Sequence, residues 1–357
     1  MIQSMSISNF KAFSRISLPS LSLVNVIGGM NNVGKTALLE AIYLLVGAEN
    51  IDLVNKINAF RGLSAFSGDA ARIREAMWGP LFHNLQVDHP ITIEAVLSDS
   101  KKIRSEIRAA KARFVISPVS DSTGVQPANP SAIPLGERLQ LVYRRASQPS
   151  RTVNLFFDEE GPRIEPPPGP PPFPGYFVGS RPLPVPTEDA DLFGRLEAVG
   201  RTESLLHSLA YLEPKLTRLS IILNAGVPMI HGDVGLGRMI PLLLMGDGIR
   251  RMTTILLAIA NAPNGIVLVD DIELGIHHSN ISKAWHAILD AAARYQTQLF
   301  VTSHSYEWIR GAASASGESF LQQLALHRLE RRGSTVELVT YDRESLEAAM
   351  AAELEVR

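Results

Sequence analysis

Apolar and polar positions alternate from the start of the chain. Ile2, Ile7 and Phe10, then Ile16 and Leu18, fall where two half-buried strands would carry them, and they lead into the continuous apolar run 23–27 of a third, fully buried strand. Residues 37–46 then switch to helical spacing in good helix formers. Residues 51–90 mix helical signals with glycine and end in Trp78-Gly79-Pro80, which predicts a helical insertion; residues 91–97 alternate again as a strand. Further on, 188–215 reads as a helical segment, 216–223 as a strand, and Ala225-Gly226 as the turn into a second strand that ends in the glycine-bearing stretch 232–237. Residues 265–271 and 298–305 are short apolar runs ending in polar residues, the form of buried parallel strands, with an amphipathic helix around Trp285 and Leu289 between them. The chain closes in strand-like residues, 320–341, and a short helix.

Two stretches interrupt this pattern within a β, basic and proline-rich insertion at 98–187. Residues 101–113 are the most basic of the protein, and Ile103 and Ile107 stand at helical i, i+4 spacing; they read as a helix whose charges are either a solvated face or a contact for a DNA or RNA backbone. From Pro162 to Pro186 the chain carries eleven of its 23 prolines, a density that predicts a polyproline loop or arm, serving as a spacer or as a docking segment.

Composition narrows the class. A hydrophobic content of 45% with 20% charged residues is globular, and a formal net charge of −2 gives no overall drive towards nucleic acid or an anionic membrane. The absence of cysteine excludes disulfides, thiolate metal sites and cysteine nucleophiles. Neither a basic-then-apolar leader nor an apolar run long enough to span a bilayer is present, so a cytoplasmic protein without membrane contact is expected.

Candidate chemistry begins at Gly29-Met30-Asn31-Asn32-Val33-Gly34-Lys35-Thr36, which fits G-x-x-x-x-G-K-[ST] between a strand and a helix. Backbone N–H groups of such a turn address phosphates, the lysine reaches the β- and γ-phosphates, and the hydroxyl ligates Mg²⁺. Gly29, Asn31, Asn32, Val33, Gly34, Lys35, Thr36 and Ala37 are therefore expected to contact ATP. Asp270 and Asp271 end the apolar run 265–269 as a Walker B pair: Asp270 joins Thr36 at the metal, and Asp271 orients or deprotonates the attacking water. His304, at the end of the following apolar run, is a candidate γ-phosphate sensor. Gly246, Asp247, Gly248 and Arg250 form a glycine turn opening a helix, a second place where amides meet phosphate. Adjacent histidines on a helix point apart, so His277 and His278 predict no transition-metal site.

Taken in order, Asn9-Phe10-Lys11-Ala12-Phe13, the loop 29–36, Gly246-Asp247-Gly248-Ile249-Arg250-Arg251, Val269-Asp270-Asp271-Ile272-Glu273-Leu274-Gly275-Ile276-His277 and Thr302-Ser303-His304-Ser305 resemble the overcoming-lysogenization-defect-like ATPases, which are ABC-type and related to RecF and SMC heads. The resemblance implies one α/β domain over 1–357: an ABC-type P-loop ATPase head with mixed parallel and antiparallel sheets. It further implies a homodimer through the ATP sites, each joining one subunit's phosphate loop to the other's turn at Gly246, with a higher oligomer left open.

This chain departs from the family at several positions. Asp271 stands where relatives carry glutamate, Leu243 and Leu244 where they carry serine, and only about fifty residues follow His304, too few for a Toprim nuclease domain. Slow hydrolysis and a separate effector protein, a nuclease or toxin, are the expected consequences, in an ATPase subunit of a prokaryotic anti-phage defence system. The competing expectation is a RecF/SMC-like clamp in which ATP gates DNA binding. A transporter ATPase is disfavoured, because Gly-Asp-Gly replaces the serine-containing transporter signature.

Overall fold

A computed structural model of the chain describes residues 1–62, 76–112, 136–146, 148–158, 161–180, 185–315, 323–341, 345 and 348. The N-terminal alternation becomes strands Ile2–Phe10 (β1) and Phe13–Leu18 (β2), followed by the all-buried Val24–Gly29 (β3) and, further on, Ile91–Leu97 (β4). β1 pairs antiparallel with both β2 and β4. Lys102–Ala112 (β5), Gly136–Arg145 (β6), Arg151–Asp158 (β7) and Gly161–Glu165 (β8) extend this into a seven-stranded antiparallel sheet of order β2-β1-β4-β5-β6-β7-β8.

β5 overturns the helix expected at 101–113. Ile103 and Ile107, four apart, satisfy the strand period of two as well as the helical period, and Ser105 between them is as buried as they are. Register then aligns Ile91, Ile107, Leu141 and Val153 across four strands on the buried face. On the other face Arg104 pairs with Glu94 and Glu106, and Arg108 with Glu106, so carboxylates from the same sheet offset part of the basic charge. Arg113 and residues 63–75 of the helical insertion lie outside the described residues, and of the helix expected after 341 only residues 345 and 348 are described, both helical.

The second sheet has the order β16-β15-β3-β14-β13-β9, with Gly175–Val178 (β9), Ile266–Val269 (β13), Gln298–Thr302 (β14), Leu324–Arg332 (β15) and Thr335–Tyr341 (β16). All but β16 run parallel. A parallel sheet is covered on both faces, which is why these strands read as unbroken apolar runs. On one side Ile266, Leu268 and Phe300 join a core with helix Lys35–Val46 (α1) and the antiparallel sheet. On the other, Val267, Val269, Leu299 and Val301 pack on helices Asp247–Ala260 (α5), Ile281–Tyr295 (α6) and Tyr306–Ala315 (α7). Leu53–Phe60 (α2) follows α1, and the helical segment expected at 188–215 is two helices, Pro186–Ala198 (α3) and Thr202–Ala210 (α4). Arg218–Asn224 (β10), Val227–Asp233 (β11) and Ile240–Pro241 (β12) make a small third sheet beside them.

The proline-rich stretch is more than a loop or spacer. Its residues 175–178 contain no proline and form β9, an edge strand held on β13 in part by the bond from the Ile266 N–H to the Pro174 carbonyl at 2.9 Å. Among the described residues no helix is long and apolar enough to cross a membrane.

Candidate functional site

Parallel pairing brings the C-terminal tips of β3, β13, β14 and β9 to one edge of the sheet, the position where open α/β sheets hold ligands. β3 ends in Gly29 at φ +139°, a conformation with no room for a side chain, since a Cβ would lie 2.7 Å from the Leu329 carbonyl oxygen. The loop re-enters helix α1 through Gly34 at φ +112°, where a Cβ would press on Ala12 and Phe13 at 3.0 Å. The aromatic turn between β1 and β2 therefore backs the phosphate loop. Phe10 and Phe13 are buried beneath it, and Lys11 reaches the cavity in front.

That cavity, about 760 Å³, is lined by Asn31, Asn32, Gly34, Lys35, Thr36, Ala37 and Asp271 of the expected set, and by Lys11, Asn58, Arg61 and Phe82. Val33 is buried beneath the loop. The Lys35 ammonium donates to the carbonyls of Gly29 at 2.7 Å and Met30 at 3.1 Å, inside the loop. Burial lowers its pKa, while the charges of Asp271, Glu273 and Asp270 oppose the shift.

Thr36 Oγ1, from α1, donates to the Asp270 carboxylate at 3.0 and 3.2 Å from its two oxygens. Asp270 is 4% exposed and also accepts from Thr302 Oγ1 at 2.6 Å. Burial pushes its carboxyl above the usual range, and the bonds from Thr302 and Thr36 pull the other way. A hydroxyl and a carboxylate side by side are hard oxygen donors, the set that fits Mg²⁺. Thr302 links the two acids, because its hydroxyl accepts the Asp271 N–H at 2.8 Å. Asp271 itself adopts φ +47°, a left-handed conformation that aspartate tolerates better than glutamate.

His304 does stand beside Asp271, its Nδ1 at 3.7 Å from Asp271 Oδ1, but its nearer partner is Glu273 Oε1, 2.7 Å from Nδ1. Asp271, Glu273 and His304 offer ligand atoms within 4.8 Å of one another; the hydrogen bond to Glu273 Oε1 comes from the His304 backbone N–H, at 2.8 Å.

The turn at Gly246 takes no part in this cavity within one chain. Asp247 is exposed, Gly246 adopts φ +110°, and Gly248 rests against the Gly275 carbonyl, 3.0 Å from where a Cβ would be. Arg250 faces α3, where its charge lowers the Asp189 pKa against the burial that raises it to about 6. Its neighbour Arg251 is buried and donates to the Gly179 and Asp270 carbonyls, both at 2.6 Å, tying α5 to the tips of β9 and β13. The rings of His277 and His278, expected to point apart, lie 4.0 Å from each other by centroid, since His277 is the extended cap of a short 3₁₀ turn that begins at His278 and the two do not share an α-helix.

Three further features escaped the sequence reading. Glu40, 1% exposed on α1, binds Lys11 at 2.7 Å and Arg61 at 2.7 and 3.0 Å, holding both cations at the cavity. Its signal was a lone carboxylate in an apolar helix. Thr302 looked like one polar residue among several at a strand end, and Arg251 like a repeat of Arg250.

The family model described as "AAA domain, putative AbiEii toxin, Type IV TA system" matches residues 24–310. Over 97% of its length the chain is similar to a protein of Helicobacter pylori (strain ATCC 700392 / 26695) named ATP/GTP phosphatase, at 24% identity across 382 residues and 97% of that relative. Among solved structures it is similar to an SMC head bound to the C-winged helix domain of ScpA, with a TM-score of 0.51 and 13% identity over 98% of this chain and 99% of that one. A second SMC head, with an extended coiled coil and the C-terminal domain of ScpA from Pyrococcus furiosus, gives 0.48 at 11% identity, covering 99% of each chain. With the first of these two structures the chain shares the fold of an ABC-type P-loop ATPase head.

Proposed function

Because this chain belongs to the AAA-domain family that its model matches from residue 24 to residue 310, we propose that it is a Mg²⁺-dependent ATPase working as a regulatory subunit. The observation that carries this is the contact between Thr36 and Asp270, 3.0 Å across 234 positions of sequence. It joins a phosphate loop to an acid-tipped strand as nucleoside triphosphate hydrolysis requires. Lys35 and the amides of residues 29–36 bind the phosphates. Thr36 and Asp270 would hold Mg²⁺, which when bound neutralises charge developing on the phosphoryl oxygens. Asp271 orients the attacking water from the cavity wall. The relative's name, ATP/GTP phosphatase, supports hydrolysis and leaves the base to be measured with both nucleotides.

The active assembly is a homodimer in which the turn at Gly246 of one copy closes the phosphate loop of the other. Its exposure and its separation from the cavity within one chain support that reading. We assign the dimer to anti-phage defence with a separately encoded effector, supported by the toxin–antitoxin wording of the family description. An ATP-gated DNA-binding clamp is the second reading, favoured by Lys102, Arg104, Arg108 and the exposed Arg144 on the outer face of the antiparallel sheet; salt-sensitive DNA binding lost on their replacement would select it. Phosphate release from ATP and GTP tests the main proposal. Lys35→Ala should reduce it to background while circular dichroism stays that of the parent; an unchanged rate sinks the assignment.

A further inference from the structure

Only one end of the cavity at the phosphate loop has a task in the scheme above. Lys35 feels the charges of Asp271, Glu273 and Asp270, whereas the charges acting on Lys11 are those of Glu40 and Arg61. The acids mark the γ-phosphate end, and Lys11 stands away from them, on the turn between β1 and β2. A nucleoside triphosphate whose γ-phosphate lies at Asp271 carries its nucleoside towards the other end. That end is walled by Ala12 and by Pro80, Phe82, Asn84 and Leu85, from the segment between α2 and β4.

Asn84 and Leu85 hold φ at +51° and +59° in succession. Leucine, with no polar side chain to bond locally, adopts that left-handed conformation at a cost that glycine would avoid. Yet a leucine stands there with its side chain 66% exposed, so it gains little from folding in return. The segment is fixed to the β1–β2 turn by four bonds. The Lys11 N–H donates to the Leu81 carbonyl at 2.9 Å, and His83 Nδ1 lies 2.9 Å from the Lys11 carbonyl. Asn9 Nδ2 reaches the carbonyls of Gln86 at 3.2 Å and His89 at 2.6 Å. Strain held in place by its surroundings beside a ligand cavity is the mark of a ligand clamp.

We propose that residues 80–85 form the nucleoside subsite of this chain, in which Leu85, Pro80 and Phe82 give the base its apolar contact and the Asn84 carboxamide meets its edge. The inference rests on the hydrolysis proposed above and adds its substrate class, adenine and guanine nucleotides alike. Apolar contact with the face of a purine does not tell one purine from the other. At the edge, adenine presents an amino donor beside the N1 acceptor, and guanine a carbonyl acceptor beside the N1–H donor. A carboxamide carries one acceptor and one donor group, and by turning over it matches either base. Asn58, the other amide of the wall outside the phosphate loop, commits its Nδ2 to the Met77 carbonyl at 3.1 Å.

Equilibrium binding of ATP, GTP and inorganic tripolyphosphate, each with Mg²⁺, separates the base from the phosphates. The parent should bind ATP and GTP with affinities less than about tenfold apart, and both more tightly than tripolyphosphate. Leu85→Gly suits the backbone at that position, so its urea midpoint should not fall below the parent's. It should weaken ATP and GTP alike by about tenfold and leave tripolyphosphate unchanged. Asn84→Asp can only accept, which favours guanine, whose N1–H and amino group both donate; GTP should gain about tenfold over ATP. Unchanged nucleotide affinity in Leu85→Gly overturns the inference, as does an equal loss of tripolyphosphate, or an ATP to GTP ratio that Asn84→Asp does not move. Lys35→Ala separates the two levels. If the parent binds all three ligands no better than Lys35→Ala does, the phosphate-loop reading fails and this one with it; if Lys35→Ala abolishes binding while Leu85→Gly matches the parent, only the nucleoside subsite fails.

Discussion

Asp271 holds a left-handed backbone at φ +47° because its N–H is committed to Thr302 and the chain must turn towards Glu273. Asparagine and aspartate occupy that region at lower cost than longer side chains. Asp271→Glu should therefore lower unfolding stability by about 1 kcal/mol, and Asp271→Asn should not, as read from urea midpoints. Away from the site, His327 is fully buried, its ring 3.1 Å from Thr340 Oγ1 and 3.3 Å from Asn25 Oδ1, and burial lowers its pKa to about 4. The unfolded chain binds this proton near pH 6.5 and the folded chain does not, so stability is present above that pH and is lost as pH falls from there towards 4, by about 3 kcal/mol at most. Asp189 acts in the opposite sense. Its folded pKa is raised to about 6, so its contribution is present below the ordinary aspartate pKa and is lost as pH rises through 6. The two slopes offset each other between about pH 4 and 6. The expected observation is thus a difference: parent minus His327→Gln should lose stability on acidification from pH 7.5 to 5, and a flat difference would show that His327 does not carry the effect.

At the scale of elements, β9 is the piece whose role was hardest to read. Gly265, just before β13, has no space for a methyl: a Cβ there would run into the Pro174 carbonyl, which is backbone and cannot swing aside. Gly265→Ala should push β9 off β13, break the Ile266 to Pro174 bond and release Gly179 from Arg251, costing about 2 kcal/mol in denaturant unfolding and slowing turnover. The phosphate loop, Asp270 and Asp271 were legible because each sits at the end of a continuous apolar run, and burial on both faces of a parallel sheet writes such runs directly into sequence. β5 was misread because Ile103 and Ile107 fit both periods; only pairing with β4 and β6, which is non-local, decides between them. β9 is four residues long and flanked by prolines, so its strand character comes from the free edge of β13 and not from its own pattern. Glu273 was visible as an acid near the Walker B, but its bond with the His304 backbone N–H spans 31 positions and depends on β14 delivering His304 alongside.

For the whole molecule the decisive question is how the turn at Gly246 meets a phosphate loop. Within one chain that turn packs on Gly275 and lies outside the cavity at Lys35, with Asp247 exposed. Gly248 is unsuitable for a test because a side chain there would strain the contact with Gly275 of the same chain. Asp247→Arg keeps the Cβ that packs on Gly275 and changes the exposed end that an opposing copy would meet. It also removes the acid in the first turn of α5, a cost to the helix of about 1 kcal/mol at most. By itself it should abolish turnover in both sites of a symmetric dimer, as Lys35→Ala does. When the two variants are mixed in equal amounts and exchange freely, half of the dimers are mixed. Each mixed dimer has one dead site, where the loop carrying Lys35→Ala faces the turn carrying Asp247→Arg, and one site joining the intact loop of one copy to the intact turn of the other. Recovery should therefore reach about one quarter of the parental rate. Native mass spectrometry would count the mixed dimers, and a mixture that contains them yet remains as inactive as either variant alone would rule out the shared site.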